Sequence, residues 1–474
     1  MNKIKELGKV FTPLNIVEMM LDHIQYNSSI ILKKHIIDNS CGDGAFLIEI
    51  VKRYCAEYYK YNKTYDGIEY ELQTYIHGIE IDYKNWENCL ANLNELVCEL
   101  GIKDIKWDII NNDSLNISKY DNKMDYVVGN PPYVRVHNLK DKFTTVKSMK
   151  FSNIGMTDLF IVFYEIGIKM LNDHGLLSYI TPSSIVNSKA GLSFRKYIIK
   201  NQMLESFINL KHMQPFAGIT TYTGIFTLIK NFNQSKVKYY EYHNNNLNLI
   251  STLEASDFFI NEIFYFGDKR ILNKLKKILN YDLTQDQFNI SVKNGLATLL
   301  DNVFIRDLFD FKSQNIIPIF KGSTNKQKHA IFPYNDNGDL IKFKELDINV
   351  QNYLLQHKSQ LEKRSIDKNM PWYAYGRSQG LKDVYKPKII INTLLKNVKD
   401  IKLNNINSGS GIYSGLYILG NVTVENLRTI LNEDFIKYVQ LLGKYKNGGY
   451  YTFSSNDLKK FLIYSLNEKV KWYE

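Results

Sequence analysis

The sequence has few cysteines and no long apolar run, and both features exclude classes of protein. Its four cysteines all lie in the N-terminal quarter of the 474 residues, without Cys-x-x-Cys spacing. Neither a disulfide framework nor a zinc site is therefore indicated, and no metal is expected. No segment reaches membrane-spanning length, and we find no secretory signal peptide, low-complexity tract or internal repeat. These absences predict a soluble, cytoplasmic protein with no membrane partner.

Length and charge predict a molecule of two or three domains that binds a polyanion. Residues 1–133 contain 14 Lys+Arg and 20 Asp+Glu, a net charge of −6, whereas the remainder carries a net charge of +17. Positive charge concentrated in the second part suits contact with phosphates. A lysine-rich composition without any such partner is the alternative. The polar, Asn-rich stretch at residues 244–257 predicts a boundary, which gives domains of residues 1–245 and 246–474.

The most informative pattern is Asn130-Pro131-Pro132-Tyr133, which follows a strand-like run at residues 125–128. Two prolines can continue neither a sheet ladder nor a helix, so the segment is an exposed turn. The Asn130 amide oxygen and the Pro131 carbonyl can accept hydrogen bonds from an exocyclic amine, and Tyr133 offers a face to the ring that carries it. An ordinary Pro-Pro loop is the alternative interpretation.

Three segments that precede Asn130 in the chain are typical of strands that end in glycines or acids. They are residues 36–47, 76–82 and 105–110. In a doubly wound α/β sheet, small ligands bind at the carboxyl ends of the strands. Gly42 and Gly44 would let the backbone approach a ligand closely, Glu80 suits a ribose diol, and Asp113 suits an adenine amine. Each acid alone could equally be a solvated strand end. Together, in this order, they favour an adenosine-bearing cofactor.

The order of these segments resembles the S-adenosylmethionine-dependent N6-adenine DNA methyltransferases of the gamma arrangement, found with type II restriction systems. The resemblance covers roughly residues 1–235, with Gly8-Lys9-Val10-Phe11-Thr12-Pro13 matching the N-terminal motif of that family. It implies an α/β fold: a Rossmann-like methyltransferase domain with a mixed, mostly parallel sheet. A C-terminal mixed α+β domain for DNA target recognition would follow.

The resemblance also implies roles for individual residues. Residues expected to bind S-adenosylmethionine are Thr12, Asp38, Ser40, Gly42, Gly44, Glu80, Ile81, Asp113, Ser114 and Asn130. Residues expected to hold the target base are Asn130, Pro131, Pro132, Tyr133 and, as a second aromatic wall, Phe216. Thr12 is expected to cap a helix that begins at Pro13. The apolar face of that helix would consist of Ile16, Val17, Met20, Leu21 and Ile24.

Basic and aromatic residues are expected to contact DNA. They are Arg135, Lys140, Trp372, Arg377, Lys444 and Tyr445. The first two belong to a basic loop directly after Tyr133. The others lie in two clusters, residues 371–377 and 444–454, where aromatic and basic side chains alternate around glycines. Such clusters suit insertion along a groove and phosphate contact, although they could equally be core aromatics and turns.

The resemblance predicts methylation of N6 of a flipped adenine in double-stranded DNA by a monomer. A separate cognate endonuclease would be its partner, because the sequence begins at the cofactor helix and lacks a Pro-Asp…Glu-x-Lys nuclease arrangement. N4-cytosine methylation remains an alternative, although enzymes of that kind more often have Ser or Asp at the Asn130 position. RNA or protein glutamine methylation and a noncatalytic DNA-binding module are further alternatives. No cysteine follows a proline, which argues against cytosine-C5 methylation.

Overall fold

Buried aliphatic strands alternate with helices through the first half of the chain, as expected for an α/β fold. The computed structural model describes residues 12–136, 143–216 and 221–470. It separates into two compact units, the first ending at Leu272 and the second beginning at Asn273.

The first unit is built on a nine-stranded sheet. Its strands are β1 Ile36–Asp38, β2 Ile76–Glu80, β3 Asp108–Asn111, β4 Met124–Gly129, β5 Leu171–Pro182, β6 Leu204–Asn209, β7 Thr223–Ile229, β8 Lys236–His243 and β9 Asn246–Glu254. They lie in the order β3-β2-β1-β4-β5-β7-β6-β8-β9. Strands β1 to β5 are mutually parallel, whereas β7 is antiparallel to both β5 and β6. The predicted mixed, mostly parallel sheet is therefore confirmed.

Helices alternate with the strands of this sheet and pack against them, as the connections between parallel strands require. They are α1 Leu14–His23, α2 Ala45–Asn62, α3 Ile68–Tyr75, α4 Tyr83–Glu99, α5 Phe143–Ser148, α6 Leu159–Met170, α7 Leu192–Lys200 and α8 Ala255–Phe258. The predicted apolar positions of α1 are all buried in the core. The chain runs outward from β1 to β2 and β3 and then returns to β4 on the other side of β1. A switch point of this kind opens a crevice at the carboxyl ends of β1 and β4.

The predicted domain boundary at residue 245 is wrong, because a hairpin crosses it. Strand β8 pairs with β9 in antiparallel register from Lys236 and Glu254 to His243 and Asn246. Asn244 and Asn245 form the two-residue turn, with φ values of 49° and 60°. Asparagine tolerates this left-handed conformation, which the favoured two-residue hairpin turns require. A short hairpin follows within the first unit, made of β10 Phe259–Ile260 and β11 Ile263–Phe264.

The second unit combines small sheets and helices, which confirms the expected mixed α+β architecture. Its strands are β12 Ser291–Asn294, β13 Ile305–Arg306, β14 Ile316–Lys321, β15 Gln327–Ile331, β16 Lys388–Ile391, β17 Leu394–Leu395, β18 Leu403–Ile406, β19 Gly411–Tyr413, β20 Leu416–Leu419, β21 Tyr445–Lys446 and β22 Tyr450–Thr452. They form sheets in the orders β12-β20-β16-β18, β13-β15-β14-β19 and β17-β22-β21. Helix α9 Lys269–Leu279 includes the point of division between the units. The remaining helices are α10 Asp301–Phe304, α11 Ile348–Gln356, α12 Lys358–Leu361, α13 Val424–Ile430, α14 Glu433–Leu441 and α15 Ser455–Val470.

One strand boundary differs from the sequence prediction, because the strand expected at residues 105–110 begins only at Asp108. Residues 424–441 form two helices, because the Asn432 side chain accepts a hydrogen bond from the Asp434 N–H and starts a new helix. Among the described residues, no helix combines the length and apolar character needed to cross a bilayer.

Candidate active site

Polar side chains at four strand ends meet at one edge of the nine-stranded sheet. Asp38 and Glu80 are the last residues of β1 and β2. Asp113 follows β3, and Asn130 follows β4 directly. Since these strands are parallel, their carboxyl ends lie together, as the sequence predicted.

The Asp38 carboxylate lies against the backbone of Gly129, at the end of β4. A Cβ atom on Gly129 would stand only 2.6 Å from Asp38 Oδ1, and the φ of Gly129 is +149°. Asp38 is buried, and its Oδ1 accepts a hydrogen bond from the Ser40 N–H at 3.0 Å. Burial raises the pKa of Asp38 to about 7; the Ser40 hydrogen bond opposes this rise and the charge of Glu80 adds to it. A ligand with positive charge would favour the ionised form.

Glu80 holds the glycine turn between β1 and α2. Its Oε2 accepts a hydrogen bond from the Gly42 N–H at 2.9 Å, and its Oε1 accepts one from the Asp82 N–H at 2.8 Å. Gly44 precedes α2 with a φ of +96°, and a Cβ there would stand 2.9 Å from Cys89 Sγ. Beside this carboxylate, the apolar side chain of Ile81 is 60% exposed. The edge therefore presents a tight backbone turn, an acid and an apolar surface side by side.

The Asn130 side chain contacts the start of the described chain. Its Nδ2 donates a hydrogen bond to Thr12 Oγ1 at 3.1 Å, across 118 residues of sequence. The Ser40 hydroxyl donates to the Asn130 carbonyl at 3.5 Å. The prediction that Thr12 caps α1 is wrong, because Pro13 occupies the N-cap and no side chain caps the helix. The hydroxyl of Thr12 instead orients the amide of the Asn-Pro-Pro-Tyr turn, and residues 8–11 of the predicted motif lie outside the described residues.

Three aromatic rings meet beside this turn. Tyr133 contacts Phe216 edge to face, with ring centroids 6.0 Å apart and planes at 74°. Phe160, near the start of α6, contacts Tyr133 similarly at 6.1 Å and 75°. The Tyr133 hydroxyl donates to the Ile180 carbonyl at 3.3 Å, and burial raises the pKa of the phenol. Tyr133 and Phe216, the two aromatic residues predicted to hold the base, are therefore neighbours. Phe160, which packs against Tyr133, was not part of the prediction.

Ser114 and Asp113 lie in the short turn after β3. The Ser114 hydroxyl donates to the Asn39 carbonyl at 2.5 Å, and both residues are buried. Asn39 Oδ1 in turn accepts a hydrogen bond from the Tyr179 hydroxyl of β5 at 2.7 Å. Asp113 Oδ1 accepts one from the Leu115 N–H at 3.0 Å and so starts a 3-10 turn. Asn39 thus links the carboxyl end of β1 to the turn after β3 and to β5.

Of the basic side chains expected after Tyr133, one is exposed and another is hydrogen-bonded to backbone carbonyls. Arg135 is exposed and forms an isolated antiparallel bridge with Asp158. Lys147 Nζ donates to the carbonyls of Ser152 and Gly155, at 3.0 and 2.6 Å. Lys140 lies outside the described residues.

The aromatic cluster at residues 371–377 is mainly part of the second unit's core. Tyr373 and Tyr375 are buried, which is the alternative that the sequence left open. Trp372 is half-buried, with its ring 5.2 Å from that of Phe343. Arg377 is partly exposed and forms an ion pair with Asp367 at 3.4 Å.

The second cluster forms a partly exposed hairpin. Strands β21 and β22 pair through Tyr445 and Tyr451, whose rings lie 5.4 Å apart. The intervening turn contains Gly448 and Gly449, with φ values of 76° and 80°. Lys444 forms an ion pair with Asp457, whereas Lys446 is exposed on the hairpin.

Sequence reasoning missed Gly129, Asn39 and Phe160. Each contacts a predicted residue from a different element: Gly129 contacts Asp38, Asn39 contacts Ser114, and Phe160 contacts Tyr133. The signal for Gly129 was a glycine directly before Asn130, at the end of an apolar strand. The other two carried no distinctive pattern, since their contacts arise only in the folded chain.

Comparison with known proteins supports the same interpretation. Residues 28–216 match the model of the Eco57I restriction-modification methylase family. The type II methyltransferase M.BstVI of Geobacillus stearothermophilus is 25% identical over 489 residues, covering 91% of this chain and 85% of that protein. The type II restriction enzyme and methyltransferase RM.Eco57I of Escherichia coli is also 25% identical, over 90% of this chain but only 54% of that protein.

A solved structure shares the fold. The type IIL restriction-modification enzyme MmeI superposes with a TM-score of 0.59 and 12% identity, over 95% of this chain and 65% of that enzyme. Residues 28–216 thus match the Eco57I restriction-modification methylase family, and about nine tenths of the chain is similar to type II methyltransferases of restriction-modification systems.

Proposed function

We propose that this protein methylates N6 of an adenine that is flipped out of double-stranded DNA. The observation that carries the proposal is the position of Asn130-Pro131-Pro132-Tyr133 at the carboxyl end of β4, directly beside the Asp38 edge of β1. An amide oxygen, a peptide carbonyl and an aromatic ring there adjoin the crevice in which an α/β sheet of this topology binds its ligand.

The residues at the sheet edge fit S-adenosylmethionine. Asp38 offers a buried carboxylate to the positive charge of the methionine part, and Glu80 offers an acceptor to the ribose hydroxyls. The exposed Ile81 gives an apolar surface for the adenine ring, with Asp113 nearby as an acceptor for its amine. Gly42, Gly44, Ser40, Ser114 and Thr12 would shape or support this site. When bound, S-adenosylmethionine supplies a methyl group on a cationic sulfur.

The turn at Asn130 would increase the low nucleophilicity of the target amine. The nitrogen lone pair of N6 is delocalised into the purine ring, so N6 is a weak nucleophile. The Asn130 side-chain oxygen and the Pro131 carbonyl would accept its two protons and favour a pyramidal nitrogen aimed at the methyl donor. The hydrogen bond from Asn130 Nδ2 to Thr12 fixes the orientation of the amide, so that its oxygen faces the amine.

The aromatic residues would hold the flipped base. Tyr133 and Phe216 are joined edge to face, so a base that enters between them must separate or rotate the rings. Stacking on aromatic side chains is worth roughly 1–3 kcal/mol per base, which offsets part of the few kcal/mol that flipping costs. Phe160 supports Tyr133 from the other side.

We assign DNA target recognition to the second unit and the adjacent exposed cations. Arg135 lies two residues beyond Tyr133 and would contact a phosphate near the flipped base. In the second unit, Tyr445, Trp372 and Arg377 are partly exposed members of the two predicted clusters. Phosphate contacts of this kind supply most of the nonspecific affinity for DNA. A separate cognate endonuclease would cleave DNA that this protein has left unmodified.

Identification of the methylated nucleoside tests the proposal. The full-length protein is incubated with radiolabelled S-adenosylmethionine and mixed-sequence duplex DNA, and the digested nucleosides are separated. Label in N6-methyl-2′-deoxyadenosine supports the proposal, and sequencing of the modified positions then gives the target sequence. Label in N4-methylcytosine, or label taken up by RNA or protein but not by duplex DNA, would overturn it. Asn130→Ala is the matched inactive control.

A further inference from the structure

Met156 has a largely exposed apolar side chain, and its loop is hydrogen-bonded to the segment that follows the Asn-Pro-Pro-Tyr turn. It is 78% exposed, among the most exposed large apolar side chains of the described chain. An isolated exposed apolar residue is common and needs no special explanation. Met156 differs because its loop is fixed by internal hydrogen bonds and is hydrogen-bonded to the segment that follows the catalytic turn.

The loop that carries Met156 is fixed by internal hydrogen bonds. Lys147 Nζ donates to the carbonyls of Ser152 and Gly155. The Thr157 hydroxyl lies 3.2 Å from the Ser152 carbonyl and 3.4 Å from that of Ile154. Ser152 and Thr157 are almost completely buried, whereas Met156 between them points outward. The buried polar groups therefore brace a short loop whose tip is a single flexible apolar side chain.

The same loop is joined to the segment that follows Tyr133. The Val136 N–H donates to the Thr157 carbonyl at 2.9 Å, and the Leu159 N–H donates to the Val134 carbonyl at 2.7 Å. Met156 directly precedes Thr157, the residue that accepts the hydrogen bond from Val136. Val136 itself lies three residues after Tyr133. Three extended residues span about 10 Å, comparable to the depth of the DNA major groove, about 8.5 Å. Exposed Arg135 in this segment provides a nearby contact for phosphate.

We propose that Met156 is a positioning residue that enters the DNA stack at the target base and fills the space left when that base is flipped toward Tyr133. Methionine is among the apolar residues that proteins insert between base steps, and its unbranched chain adapts to an irregular gap. The inference rests on the proposed function, because a wedge is needed only if the base leaves the duplex.

Comparison of paired and mispaired targets tests the role of Met156. Single-turnover methylation is measured for the wild-type protein, Met156→Ala and Met156→Leu, on duplexes that carry the identified target sequence. One duplex pairs the target base normally, and the other places a mismatched base opposite it. A mismatch lowers the cost of extrusion and so reduces the need for a wedge.

The expected result is a rate about tenfold lower for Met156→Ala on the paired duplex, since filling one side-chain-sized void is worth about one decade. On the mismatched duplex the deficit should shrink to about twofold, and Met156→Leu should stay close to wild type on both. With 2-aminopurine at the target position, Met156→Ala should also show a smaller fluorescence increase on the paired duplex.

Leu249→Ala is the matched control, because Leu249 is 55% exposed in the same unit on β9. Equal rates for Met156→Ala and wild type, an equal deficit on both duplexes, or a similar loss in Leu249→Ala would each overturn the wedge while leaving the proposed function intact. A wild-type protein that methylates no duplex DNA would overturn both. Methylation of a cytosine instead would overturn the adenine assignment alone, since the wedge comparison applies to any flipped base.

Discussion

The carboxylate of Asp38 occupies the space where a side chain on Gly129 would lie. Only 2.6 Å separates Asp38 Oδ1 from the position of a Cβ on Gly129. This close approach joins the end of β1, which belongs to the cofactor side, to the residue directly before Asn130. The two halves of the candidate site therefore depend on each other's geometry.

Gly129→Ala is expected to destabilise the protein by roughly 2–4 kcal/mol, from overlap with Asp38 together with strain at a φ of +149°. Gly42→Ala is the control, because it also has a positive φ, +57°, but no atom within 4 Å of its Cβ. That variant should lose only about 1 kcal/mol. Urea unfolding followed by circular dichroism measures both. Equal losses would show that overlap with Asp38 is unimportant.

Cofactor affinity should rise with pH up to about 7, the pKa of Asp38. A positively charged ligand prefers the ionised carboxylate, so its apparent affinity falls about tenfold for each pH unit below that value. Calorimetric titration with S-adenosylmethionine from pH 5 to pH 8 measures the effect. Asp38→Asn should bind more weakly at pH 8 and show a flatter profile. An unchanged slope in this variant would assign the titration to another group.

Without cofactor, the same carboxyl should make stability fall as pH rises from about 4 to 7. Burial raises its pKa from 3.8 to about 7, so the folded chain keeps a proton that the unfolded chain releases within this window. Above pH 7 the cost is of the order of 4 kcal/mol, so Asp38→Asn should be more stable than wild type at pH 8 but not at pH 4. Denaturant melts at the two pH values test the sign. Greater stability of wild type at pH 8 would contradict it.

Asn130→Ala is expected to reduce methyl transfer by at least about a hundredfold while DNA binding persists, because only the acceptor for the amine is lost. Thr12→Val removes the acceptor for Asn130 Nδ2 and should lower kcat about tenfold with little change in KM for DNA. Thr12→Ser retains the hydroxyl and should stay close to wild type. Near wild-type turnover of Asn130→Ala would refute the catalytic assignment.

Replacement of Tyr133 and Phe216 together by Ala should weaken capture of the flipped base. Loss of stacking on the one flipped base is worth roughly 1–3 kcal/mol. The fluorescence increase of 2-aminopurine at the target position should therefore be smaller than in wild type. Because Phe216 is only 3% exposed, thermal melting is needed to check that the variant folds. An unchanged fluorescence increase in a folded variant would count against the stacking role.

Lys444 and Lys446 should have different roles despite their proximity. Lys446 is exposed on the β21–β22 hairpin, so Lys446→Ala is expected to weaken DNA binding and reduce the slope of log K against log salt by about 0.9. Lys444 pairs with Asp457, so Lys444→Ala should instead lower stability by about 1 kcal/mol. Binding isotherms at several salt concentrations and thermal melts separate the two effects. A larger salt effect for Lys444→Ala would reverse the assignment.

The order of the strand ends was predictable from sequence because it depends on local patterns. Apolar runs followed by Asp38, Glu80 and Asn130 predict parallel strands whose ends meet, and the structure has this arrangement. The contact of Thr12 with Asn130 was not predictable, because a hydroxyl before a helix is ordinarily a cap. Asn244 and Asn245 were misinterpreted as a linker for a similar reason, since the composition of a loop does not distinguish a hinge from a tight hairpin.

The exposure of aromatic residues in the second unit was the least predictable of the expected DNA contacts. Tyr373 and Tyr375 occur in the same kind of cluster as Tyr445, yet they are buried, whereas Tyr445 is partly exposed. Their environments depend on tertiary packing, on which sequence spacing in an irregular segment gives no information.

The buried amide of Asn39 has a consequence for the energetics of ligand association. Asn39 Oδ1 accepts a hydrogen bond from Tyr179 of β5, and the Asn39 backbone carbonyl accepts one from Ser114 after β3, so the end of β1 is tied to both before any ligand arrives. The crevice is thus preorganised during folding, and little conformational entropy remains to be lost at the moment of binding.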